Sequence, residues 1–77
     1  MQLKAYVWFD SKTESYSVPM FHDYRANALR SFERIVAASQ DEQNQLAKYP
    51  ADFTFFEIGT YDLSSGRFEQ YPAMVIS

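Results

Sequence analysis

"YPADFTFFEIGTYDLSSGRFEQY", residues Tyr49 to Tyr71, carries seven aromatic side chains, and their spacing decides how the chain is read. In an antiparallel sheet with one wet face, apolar residues take every second place. Here Phe53, Phe55 and Tyr61 fall on one parity, while Phe56 and Ile58 fall on the other. A strand over 53–61 is therefore apolar on both faces, and something must cover each. Pro50 disfavours helical geometry in the residue before it and closes off whatever precedes the strand. After it, "DLSSG", Asp62 to Gly66, suits a tight hairpin loop, with Gly66 supplying the positive φ of a G1 bulge. "RFEQY" then returns as the next strand. Gly59 inside the long strand points to a bulge, or to a large side chain packed over the backbone.

Upstream, "QLKAYVWF" (2–9) alternates Leu3, Ala5, Val7 and Phe9 with Lys4, Tyr6 and Trp8, the period of a strand. "DSKTE" is a polar loop, and "SYSVPMF" (15–21) reads as a second strand completing a hairpin. Pro19 places that strand at an edge or ends it. Asp23 suits the N-cap of a helix over Tyr24 to Ala38. Ala28, Leu29, Phe32, Ile35 and Val36 share one arc of that helix, with Asn27, Arg30, Ser31 and Arg34 opposite. "SQDE", Ser39 to Glu42, fits a capping box and suggests a short second helix ending by Tyr49. The fold class expected is α+β: a four-stranded antiparallel sheet in ββ-αα-ββ order, with both helices on one face.

The chain has 77 residues, enough for a single domain, and 47% of them are hydrophobic. A domain this small needs help beyond its own core, and without cysteine that help is neither a disulfide nor a thiolate metal site. Oligomerisation remains, so a homodimer is expected, with Tyr6, Trp8, Phe53, Phe55 and Tyr61 as its interface or as a base-stacking platform. The net charge of −3 and pI near 4.9 weigh against a general nucleic-acid binder. Lys4, Arg30, Arg34 and Arg67 are the cations available to a local patch facing DNA or an acidic partner. A stacking platform needs a basic groove beside it, and Glu57, Asp62 and Glu69 oppose one, so the shared apolar seam is favoured.

Catalytic signals are weak. His22 and Asp23 are adjacent in an extended segment and point apart, and Ser64 and Ser65 have turn chemistry without a base. No glycine-rich phosphate loop exists, no two carboxylates are positioned as an acid–base pair, and no metal or cofactor is expected. No apolar run reaches membrane-spanning length. A non-enzymatic soluble protein is the reading.

Taken in order, "PMF" (19–21), "ALRSF" (28–32), "YPADFTFFEIGTYD" (49–62) and "SG" (65–66) form a pattern. The sequence resembles the small nonstructural protein of gokushovirus-type microviruses, bacteriophages with single-stranded DNA genomes. Met20 stands where that pattern has an aromatic ring. The resemblance implies an accessory protein of viral DNA synthesis or genome packaging in the host bacterial cytoplasm, described in part as DNA-binding, with replication or packaging proteins as partners. The alternative is a protein-interaction module for a viral or host protein, with no nucleic-acid contact.

Overall fold

The computed structural model describes residues 1–37 and 50–77. Its elements are β1 (Gln2–Asp10), β2 (Ser15–Tyr16), β3 (Met20–His22), α1 (Arg25–Ala37), a single 3-10 turn at Pro50–Asp52, β4 (Phe53–Asp62) and β5 (Phe68–Val75). All pairings are antiparallel. The sheet order is β2-β1-β4-β5, with β3 pairing β1 further along the edge that β2 occupies.

This corrects the expected α+β class and its ββ-αα-ββ order. The protein is mainly β, with five strands rather than four and a single helix among the described residues. The expected second helix over residues 39–49 lies outside those residues. The fifth strand arises at Pro19. With no N–H to donate, proline breaks the ladder, so 15–21 becomes two short strands, each paired separately to β1. Between them Ser17 keeps contact: its hydroxyl accepts the Trp8 N–H at 2.9 Å, and its own N–H reaches the Trp8 carbonyl at 2.8 Å.

A second departure resolves the parity conflict in β4. Pairing with β1 runs from Gln2↔Asp62 to Ala5↔Gly59, then slips to Tyr6↔Glu57, leaving Ile58 without a partner residue. A bulge residue reverses the alternation of everything beyond it. Phe53, Phe55 and Glu57 therefore share a face with Tyr6 and Trp8, while Tyr61 moves to the side of Phe56. The β4–β5 ladder slips at the same place, with Tyr71, Pro72 and Ala73 set against Ile58. Pro72 sits inside that bulge, where no ladder N–H is required.

The helix packs on the face of Tyr6 and Phe55. Its sequence is free of glycine and proline, and its apolar positions recur at helical spacing. Ala28 and Phe32 are buried, and Leu29, Ile35 and Val36 pack around them. Phe32 stacks on Phe55 with ring centroids 4.4 Å apart, Phe55 stacks on Tyr6 at 5.5 Å, and Trp8 tilts against Phe32 at 6.1 Å. Each such aromatic contact adds about 0.5–1.5 kcal/mol beyond the area it buries. At the helix start, the Asp23 carboxylate accepts from the Tyr24 N–H and the Asn27 side chain, both at 3.0 Å, whereas the backbone N–H groups of Asn27 and Ala28 go to the Tyr24 carbonyl. The Asn27 hydrogen bond, more than any other contact, holds the Asp23 carboxyl below its usual range.

Both hairpin loops have the same design. Asp10 and Asp62 open them with carboxylates that accept backbone N–H groups two residues on, at 2.9 and 2.8 Å. Each loop then requires a positive φ at its fourth residue. Gly66 supplies it at 73°, and Glu14 is forced into it at 55°.

Candidate interaction surfaces

The two faces of the sheet differ in chemistry more than in shape. Partners across an antiparallel ladder place their side chains on the same side. On the helix side lie Lys4, Asp10, Glu57, Asp62 and Glu69, which are all the Asp, Glu, Lys and Arg residues in the strands. On the other side lie Leu3, Ala5, Val7, Phe9, Tyr16, Phe21, Thr54, Phe56, Tyr61, Phe68, Gln70 and Val75, with no charged group among them. The rings there meet across strands: Phe9 with Tyr16 at 4.7 Å, Phe21 with Tyr61 at 5.9 Å, and Tyr16 with Phe56 at 6.4 Å.

The structure therefore divides the aromatic residues named from sequence. Tyr6 and Phe55 are fully buried beneath α1, and Trp8 and Phe53 pack against the same core. These four hold the helix to the sheet and are not available as an outer seam or a stacking platform. Tyr61 alone lies on the uncharged face. Phe21 and Phe68, which the sequence reading did not single out, lie beside it.

The cations also separate. Arg30 and Arg34 are exposed on the outer arc of α1, and neither is ion-paired among the described residues. Arg34 in the last turn also complements the helix dipole. Lys4 is half-buried opposite His22, near the start of the helix. Arg67 lines an open cleft of about 440 Å³ together with Asp62 and Glu69, whose carboxylates offset its charge. Two of the four cations thus form one patch, while the other two sit at the far end of the sheet.

The least legible group is Glu57, a carboxylate 2% exposed on the helix side. The β5 bulge turns Tyr71 inward so that its hydroxyl donates to Glu57 Oε2 and lies 3.3 Å from the Gly59 carbonyl oxygen. Arg25 Nη2 reaches Glu57 Oε1 at 3.3 Å from the first turn of α1. The Arg25 side chain is 54% exposed, so this ion pair adds little on its own. The hydroxyl of Tyr6 is also buried, with no hydrogen-bond partner among the described residues. Burial first, and then the Glu57 carboxylate, pushes both phenols above their ordinary pKa. The cluster ties helix, central strand and edge strand together. Among the described residues no group of three His, Cys, Asp or Glu could hold a metal, and no helix is long and apolar enough to cross a membrane.

With this geometry in place, comparison with known proteins identifies the class. The chain belongs to the Phage ORF5 protein family, whose model matches residues 3–77. It is 33% identical over 79 aligned positions to Protein ORF5 of Chlamydia phage 1, an alignment spanning the whole of this chain and 81% of that relative. The sequence resemblance to a small phage nonstructural protein therefore holds. No solved structure matches the chain.

Proposed function

We propose that this phage accessory protein acts without catalysis in viral single-stranded DNA synthesis or genome packaging, in the host cytoplasm, touching DNA phosphates through Arg30 and Arg34. The observation that supports this reading is the outer face of α1, where Arg30 and Arg34 are exposed around a single acid, Glu33, in a chain whose net charge is −3. Phosphate contacts supply affinity and position without reading sequence, so the binding would be weak and sequence-tolerant.

Fluorescence anisotropy with a labelled oligonucleotide tests it. Two phosphate contacts on a single strand give a salt slope of about −1.4, so affinity should fall about sevenfold between about 50 and 200 mM salt. Arg30→Glu combined with Arg34→Glu should abolish the signal, and Arg67→Glu should change it little. No binding at about 50 mM salt and hundreds of micromolar protein removes the DNA contact.

A second reading is favoured by β5, a sheet-edge strand exposed along nearly its whole length. Such an edge can accept a strand from a viral or host protein. Absence of DNA binding, together with stoichiometric co-purification of one phage protein, would select this reading.

A further inference from the structure

We propose that two copies of this chain associate face to face through the uncharged side of the sheet. The inference is independent of the DNA reading, which concerns the opposite side of the molecule. It starts from an inversion of the usual pattern. A half-solvated antiparallel sheet turns polar residues to water, yet here every Asp, Glu, Lys and Arg in the strands lies on the helix side and the other side has none. Large apolar groups on that side remain open in a single copy: Tyr16 is 62% exposed, Phe21 43%, Phe68 46% and Val75 68%. The smaller Ala5 and Val7 beneath them are buried.

Charge selects the occupant. A nucleic-acid strand stacked on these rings would bring a phosphate per base to a surface without a cation, and stacking sites need a basic groove. A second copy brings an uncharged, aromatic-rich surface, and the core of a protein interface is depleted in charge and enriched in aromatics. Two-fold pairing sets the patch against itself, so complementarity requires no second surface. Like charges on the two copies stay on the outer, helix-bearing sides.

Area is sufficient. Strands of nine and ten residues span about 30 Å at about 3.3 Å per residue, and four ranks spaced about 4.8 Å apart are about 19 Å wide. Each face then offers about 570 Å², and a pair buries about 1,100 Å². That clears the roughly 1,000 Å² expected of a specific interface at its lower end, so dissociation in the micromolar range is expected.

Sedimentation equilibrium between about 1 and 200 μM is the test, bracketing that dissociation range. The weight-average mass should rise from 9.0 kDa toward twice that value. Phe21→Lys with Phe68→Lys should keep the circular-dichroism spectrum and remain monomeric across the range. Tyr24→Lys, at a still more exposed ring beside the helix, should leave association unchanged. Should the double variant not fold, Phe21→Cys gives a second readout, because the chain has no cysteine of its own. Its thiol should react several-fold more slowly at high protein concentration, while the thiol of Tyr24→Cys should not. A constant 9.0 kDa for the unaltered protein overturns the proposal. So does a dimer undisturbed by the folded double variant, or a thiol at position 21 that reacts equally fast at both concentrations.

Discussion

Tyr6 and Tyr71 each carry a buried phenol to the Glu57 carboxylate, yet removing their hydroxyls should move stability in opposite directions. Tyr71 donates to Glu57 Oε2, and Glu57 is 2% exposed. Tyr71→Phe deletes a hydrogen bond to a buried charge, an interaction that contributes about 1.5–3 kcal/mol. Arg25 compensates little, because its half-exposed side chain gains about as much from water as from the carboxylate. Tyr6→Phe deletes a hydroxyl that is buried beside the Glu57 carboxylate but makes no well-formed hydrogen bond to any described residue. An unsatisfied buried polar group costs about 1–3 kcal/mol, so its removal should stabilise the fold by about 1 kcal/mol. A domain of this size has about 4–12 kcal/mol in total, at about 0.05–0.15 kcal/mol per residue. Each kcal/mol moves the midpoint by about 4–8 °C. Thermal melts should thus place Tyr71→Phe about 6–24 °C below the unaltered protein and Tyr6→Phe about 4–8 °C above it. Urea titrations with an unchanged slope would confirm that the native state, not the denatured chain, is affected. Loss of more than about 1 kcal/mol in Tyr6→Phe would refute the reasoning, since it would mean that the hydroxyl is hydrogen-bonded after all.

Other substitutions follow from the backbone. A Cβ on Gly59 would stand 2.5 Å from the Glu69 carbonyl oxygen and 2.7 Å from Phe68 Cζ, so Gly59→Ala should cost about 1–3 kcal/mol or more in a urea titration. Glu14→Gly should do the reverse: relieving a φ of 55° in a side-chain-bearing residue should raise stability by about 0.5–1 kcal/mol. Tyr71 in the folded chain has its pKa raised above the ordinary 10.0. Its contribution is therefore complete below about pH 10 and declines above it, because the unfolded chain loses the phenol proton first. Urea midpoints measured from neutral to strongly alkaline pH should fall less steeply in Tyr71→Phe than in the unaltered protein.

What could be read from sequence depended on whether a local rule had one outcome. The helix was legible because Ala28, Leu29, Phe32, Ile35 and Val36 hold a 3.6-residue period, and the structure starts it one residue later than expected and carries it to Ala37, the last described residue of that stretch. Gly66 was legible because the turn demands a positive φ. The bulge at Ile58 was not, since isoleucine is as suitable for a regular strand as for the unpaired residue of a bulge. In a regular strand Tyr61 shares a face with Phe53 and Phe55, and either side of the sheet could take α1. That is why Tyr6, Trp8, Phe53 and Phe55 read as a seam when they form the core. Glu57 read as one of several scattered acids for the same reason: only the double register slip places Tyr71 against it.

If two copies pair as proposed, the uncharged face is the covered one in solution. Side-chain NMR with a soluble paramagnetic agent, at protein concentrations well above micromolar, tests it directly. Weak relaxation enhancement is expected at Phe9, Phe21, Phe56, Tyr61 and Phe68, and strong enhancement at Tyr24, Arg30 and Arg34. Strong enhancement at those five rings, equal to that on the outer arc of the helix, would contradict the pairing.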